Sequence, residues 1–152
     1  LQHNAGIVHW LTLWSNQPYV VPACDFNYMI GPDSFNDLFL PDVARQVATI
    51  GRAIFHLDGP GAARHIDALL EVPGLHIQFT PGEGSPSALA WLDMFRKIQN
   101  HNRSLLIICR AHEVLELCNA LRPEGLAFLI DAPPPAPQLE SLFQAMCKKY
   151  CV

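Results

Sequence analysis

This sequence predicts an α/β protein built on a parallel sheet, on three observations. Strand-like and helix-like stretches alternate about five times along the chain, no hairpin signal joins two strands, and Ser104 to Cys109 is so apolar that both faces of that strand must be covered. The 152 residues make one ordinary domain, 1–152, and half of them are hydrophobic, ample for a core. The pattern alone leaves two architectures open, a doubly wound sheet and part of a (β/α)8 barrel. No GxGxxG follows any strand, which weakens a dinucleotide-binding sheet.

Taken in order, Ile7 to Trp14 is an apolar, β-branched and aromatic run that reads as one strand. Ser15 to Pro32 is a long loop punctuated by Asn16, Pro18, Pro22 and Gly31, with Cys24-Asp25-Phe26-Asn27-Tyr28 inside it as an ordered wall or lid. Phe35, Leu38, Phe39, Val43, Val47 and Ile50 recur at helical spacing, with Asp33 or Ser34 as N-cap and a kink or a break into two helices at Pro41. A strand then runs from Ala53 into Phe55-His56-Leu57-Asp58-Gly59-Pro60-Gly61. Side chains alternate along it, so His56 and Asp58 share one face while Phe55 and Leu57 share the other. Two glycines follow, and then a helix built on Ala62, Ile66, Leu69 and Leu70. Such a strand, loop and helix junction is a common seat of chemistry in α/β proteins.

Leu75 to Thr80 is the next strand and ends in a second glycine-bearing loop, Pro81-Gly82-Glu83-Gly84. Ser87 to Asn100 is a helix with Leu89, Leu92 and Phe95 inward. Ser104 to Cys109, a helix from His112 to Leu121, a strand from Gly125 to Ile130 ending at Asp131, a rigid Pro133-Pro134-Pro135 linker and a last helix from Leu139 to Tyr150 complete the order. A β-branched side chain at Gly59 is expected to do more harm than a comparable change at Gly125.

Composition removes several classes. A net charge of −4 with scattered Lys and Arg gives no basic stripe, so nucleic acid is not an expected partner. No apolar run approaches the roughly 20 residues of a membrane-spanning helix, so no membrane partner is expected. Cys24, Cys109, Cys118, Cys147 and Cys151 form an odd set without CxxC spacing, which argues for reduced thiols in a cytoplasmic protein rather than a disulfide framework or zinc ribbon. Cys109 and Cys118 are expected in the core. The first residue is Leu and no signal-peptide pattern precedes the fold, which reads as a cut chain.

Three segments in order, Cys24-Asp25-Phe26-Asn27-Tyr28-Met29-Ile30, Phe55 to Gly61 and Ile77-Gln78-Phe79-Thr80-Pro81-Gly82-Glu83-Gly84, resemble the uroporphyrinogen decarboxylase-like superfamily. Within it the chain is most similar to the branch related to corrinoid-linked methyltransferases. The likeness runs from about Gly6 to Asp131. It implies the C-terminal part of a (β/α)8 TIM barrel, about five parallel strands with flanking helices, with about three N-terminal strands missing and the glycine loops at the catalytic mouth. It also implies an enzyme acting on a small-molecule substrate, by metal-assisted methyl transfer to a thiol, with a corrinoid protein as candidate partner, or by a related decarboxylation.

In the methyltransferase members a strand-end His-x-Cys pair and a later Cys hold zinc. Here His56 matches the histidine, Asp58 stands in place of the cysteine, and Asp131 is the nearest candidate for the later ligand. His56, Asp58 and Asp131 would therefore hold zinc or another divalent metal, as a harder donor set than thiolates. In the decarboxylase version no metal is needed, and Asp25 and Asp58 are the first suspects; across both versions the catalytic candidates are Asp25, His56 and Asp58.

Gln78, Thr80, Glu83 and Arg110 are candidate substrate contacts. Gln78 and Thr80 could equally fill the sheet interior, and Glu83 could be a solvated loop charge. For Arg110 an internal pair with Asp131 is preferred over a substrate carboxylate. His65 and His76 read as structural. The alternative for the whole chain is a non-catalytic barrel fragment serving as an interaction or assembly domain. Its uncovered sheet would require a homo-oligomer or the missing N-terminal half.

Overall fold

The computed structural model describes residues 6–82, 84–85 and 87–150. Its centre is a four-stranded parallel sheet of β3 (Ala53–Asp58), β4 (Leu75–Thr80), β5 (Leu105–Cys109) and β6 (Leu126–Ile130), hydrogen-bonded in chain order. Register pairs His56 with Gln78, Asp58 with Thr80, Gln78 with Leu106, and Leu106 with Ala127. Parallel crossovers are right-handed, so strands laid down in one direction carry all their connecting helices on one face.

The buried side chains bear this out. Phe55 and Leu57 of β3, Leu75, Ile77 and Phe79 of β4, and Leu105, Ile107 and Cys109 of β5 share one core. Val43 and Val47 of α2 (Leu40–Ile50), Leu69 and Leu70 of α4 (Ile66–Leu70), Phe95 and Ile98 of α5 (Leu92–Asn100) and Val114 and Leu117 of α6 (Val114–Ala120) belong to the same core. Leu142 and Met146 of α7 (Ala136–Tyr150) pack on its margin.

The helix ends follow local chemistry. Pro41 does divide the first helical stretch, into α1 (Pro32–Leu38) and α2, where it sits in the first turn that needs no donor. The N-cap of α1 is Gly31 rather than Asp33 or Ser34, because Pro32 occupies the favoured first helical position. After β3 the chain enters α3 (Gly59–Ala63) at once, and Tyr28 lies so close over it that a β-carbon on Gly61 would fall 2.4 Å from the ring.

The first expected strand is not one strand. Ile7–Val8 and Trp14–Ser15 form a short antiparallel pair, β1 and β2, so four parallel strands are present among the described residues where about five were expected. A turn closed by Thr12 N–H on His9 O reverses the chain, with Thr12 at φ 58°. Tyr19 holds it: its hydroxyl donates to Leu13 O at 2.7 Å and accepts from His9 N–H, while the His9 ring donates to Tyr19 O at 2.9 Å. The reversed segment lies over the face of the sheet that carries no helix. Trp10 meets the His56 ring edge-on, and Leu13 lines a hollow with Ile54, His76 and Leu106.

The long loop also contributes to the sheet. Val20 N–H donates to Arg52 O, and Ile54 and His56 donate to Val20 O and Pro22 O, so residues 20–23 run parallel along the outer edge of β3. Pro22 has no N–H to return, which limits this to isolated bridges rather than a full strand.

Gly125 is not a permissive position. It has φ 69°, and an added β-carbon would lie 2.7 Å from Ser104 Oγ and 3.2 Å from Ser104 Cα, whereas at Gly59, φ 76°, nothing lies nearer than 3.8 Å. The spatial constraint is therefore tighter at Gly125 than the sequence suggests. Gly125→Ala should cost about 1–3 kcal/mol from left-handed backbone strain and overpacking. Urea unfolding of the variant against the parent measures it.

Candidate functional site

Residues on the helix-free face of each strand climb toward the C-terminal ends, where an open cleft of 780 Å³ is lined by Asp58, Thr80, Gly82, Ser85, Ile108, Arg110, His112, Glu113 and Asp131. Asp58, Thr80, Arg110 and Asp131 of the expected site thus share one cavity. His56 and Gln78 lie one side-chain step below Asp58 and Thr80 on the same face.

Asp25 is exposed on a 3-10 turn, Asp25–Tyr28, and does not line the cleft. The turn is oriented by its other residues, since Tyr28 covers Gly61 and buried Asn27 offers its carbonyl to His65 at 2.8 Å. Glu83 lies outside the described residues.

Gln78 is fully buried, so it is not a substrate contact. Its carboxamide spans two neighbours, with Oε1 on His56 Nδ1 and Nε2 donating to Thr80 Oγ1 at 2.8 Å. Across the ring, His56 Nε2 stands 3.9 Å from Asp58 Oδ2, beyond hydrogen-bond length. The Asp58 side chain is half exposed at the cleft and His56 mostly covered.

Arg110 forms no ion pair with Asp131, contrary to the preferred expectation. The two are adjacent in register beyond Cys109 and Ile130, but both are exposed, where an ion pair gains little over hydration. Arg110 is left facing the cleft beside His112.

The ligand set implied for a metal is not assembled. Among the described residues no three His, Cys, Asp or Glu side chains come together as a metal site. His56 and Asp58 are neighbours on β3, but Asp131 follows β6, three strand spacings away, or about 14 Å. The donors present therefore do not complete the three protein ligands of a catalytic zinc centre. Cys109 does not substitute as a nucleophile: burial first, then Glu113 and Cys118, push its thiol up to about 12.

Glu113 is the residue the sequence reading missed. Its side chain is buried, with one oxygen accepting Ser87 Oγ–H and Ala88 N–H and the other accepting Arg110 N–H at 2.7 Å. One carboxylate thereby ties the loop after β4 to the loop after β5. The signal available was its place three residues after Arg110, the first residue past a strand, the spacing at which a glutamate reaches back to an N-cap N–H.

Burial alone would raise the Glu113 pKa, but the hydrogen bonds from Ser87, Arg110 and Ala88 and the neighbouring His112 outweigh it and hold the carboxyl below its ordinary value. His65 and His76 are structural, as expected. His65 is buried against Phe35, and His76 accepts Ser104 N–H at 3.0 Å, with burial, Arg103 and Arg52 lowering its pKa.

The lowered Glu113 pKa fixes a pH dependence. The unfolded chain binds the proton first, so this carboxylate's contribution is fully present above its ordinary value of 4.5 and is lost as pH falls through the lower folded value. Glu113→Gln should flatten that part of the acid limb in urea midpoints recorded against pH.

No helix among the described residues is long and apolar enough to cross a membrane. Compared with known proteins, the sequence matches no family model, and no curated protein matches it.

Proposed function

We propose that this chain is the C-terminal part of a uroporphyrinogen decarboxylase-like barrel enzyme that acts on a small carboxylate-bearing molecule by metal-independent acid–base chemistry at His56. The observation that carries the reading is the setting of His56: Nδ1 engaged by a buried amide, Nε2 facing Asp58 at 3.9 Å at the edge of the cleft. Strands that follow one another around the sheet, with every helix outside, are also what a section of a barrel requires.

In the decarboxylation this supports, Arg110 holds the substrate through a carboxylate. The bond from the substrate carbon to its reacting carboxylate breaks, carbon dioxide leaves, and the electron pair stays on carbon. His56, protonated at Nε2 and steadied by Asp58, gives that carbon the proton, then recovers one from solvent. The methyl-transfer version, with zinc or another divalent metal and a corrinoid partner, finds among the described residues only His56 and Asp58 as neighbouring donors. The buried thiols of Cys109 and Cys118 fit a reducing cytoplasm.

The test is carbon dioxide release from a panel of carboxylic acids by the full chain and by His56→Asn. A loss of about 10²- to 10⁴-fold in the variant, with unchanged folding, is expected of a removed acid–base group. Equal release, or none from any acid, sinks the reading.

A second reading, an assembly domain, is favoured by the outer edge of β6. In a parallel ladder residues of one parity face one neighbour. Leu105 N–H on Gly125 O and Asp131 N–H on Cys109 O give the odd residues' backbone groups to β5, which leaves the backbone N–H and C=O of Phe128 and Ile130 facing outward with no strand beside them among the described residues. Apolar Ile7, Val8, Trp10 and Trp14 are exposed as well. This reading expects light scattering to report a stable oligomer at micromolar chain; a folded monomer removes it.

A further inference from the structure

We infer that Gln78 and Thr80 are a positioning pair that fixes the tautomer of His56 and presents the cleft with a hydrogen-bond donor, so that the ligand carries an acceptor oxygen, a carboxylate or carbonyl, next to His56. The inference rests on the acid–base reading and adds to it a ligand class and two positioning residues.

A carboxamide has one accepting and one donating end. Gln78 Nε2 donates to Thr80 Oγ1, so the end turned to His56 is Oε1, which can only accept, and His56 Nδ1 must carry the hydrogen. In the neutral ring Nε2 is then the free lone pair, on the side of Asp58. The imidazole has little room to turn, because Trp10 meets it edge-on at 4.8 Å between centroids.

At the other end, Thr80 Oγ1 already accepts from Gln78, and its own proton is left to donate. Thr80 lines the cleft. A ligand oxygen taking that proton completes the chain from ligand to hydroxyl, amide and imidazole, each link with one polarity. Gln78, with no exposed surface, touches no ligand and acts only through its neighbours. An apolar residue would fill the same volume without the cost of burying an amide.

The experiment is nitrogen NMR of the full chain with 15N-labelled histidine, with and without acetate as probe. His56 should show a protonated Nδ1 and an unprotonated Nε2 when neutral. Gln78→Leu should shift it toward the other tautomer, while Gln78→Glu, whose carboxylate still accepts, should keep it. Amide spectra report folding, and Gln78→Glu decides if Gln78→Leu does not fold: a neutral ring protonated at Nε2 there overturns the pair. Thr80→Val should weaken acetate binding about 2- to 10-fold, the worth of one hydrogen bond, and Thr80→Ser should restore it.

A neutral parent ring that carries its hydrogen on Nε2, or the same tautomer in Gln78→Leu, overturns the positioning role. Acetate binding unchanged in Thr80→Val, or absent from the parent, overturns the ligand class. The tautomer is read without turnover, so failure of the carbon dioxide assay and failure of this relay are separate outcomes.

Discussion

The constraint on which the rest depends is the direction of the crossovers. Each of β4, β5 and β6 is laid beside its predecessor in the same sense, so the right-handed rule leaves every helix on one side. That side becomes a dry core of Phe, Leu and Ile. The other side is graded along the strands, from Ile54 and His76 low in the sheet through His56, Gln78 and Leu106 to Asp58 and Thr80 at the top. Period-two alternation turns one decision about chain path into a separation of packing from chemistry.

A sheet with helices on one side must still cover its other face. The turn between β1 and β2 covers part of it, and the packing it provides is also positional: Trp10 sits against His56, and Leu11 is 1% exposed although it lies outside the main core. Above it, Glu113 joins the loop after β4 to the loop after β5. Three donors converge on one buried carboxylate, so removing it would leave Ser87, Ala88 and Arg110 to find other partners, and the cleft floor between them would lose its definition.

What the sequence revealed and what it hid follow from the range of the interactions. The strands β3 to β6 were legible because alternation and runs such as Leu105 to Cys109 are local signals, and Pro41 announced its helix break for the same reason. The first strand was misread because Tyr19, ten residues from His9, decides the turn, and no window over residues 7–14 contains it. Asp58, Thr80, Arg110 and Asp131 were legible as strand-end polar residues, and they do meet in one cleft. Gln78 was read as either a substrate contact or an interior residue, and it is interior, a support between His56 and Thr80. Glu113 was overlooked because its three partners lie on two loops that only the sheet brings together.

The residue two places along the strand from His56, here Asp58, bears on which chemistries the pair can serve. A histidine that binds a metal and a histidine that moves a proton both need the second ring nitrogen held, and an amide oxygen on Nδ1 serves either. The difference lies around Nε2. A thiolate two residues along the strand and a second one from a later strand would make a soft, closed donor set; Asp58 alone makes a counter-charge. Asp131 cannot repair this, because strand spacing, not side-chain length, sets its distance from β3. Among the described residues one carboxylate, 3.9 Å from Nε2, accompanies the ring, and that set falls short of the three protein ligands a catalytic zinc keeps.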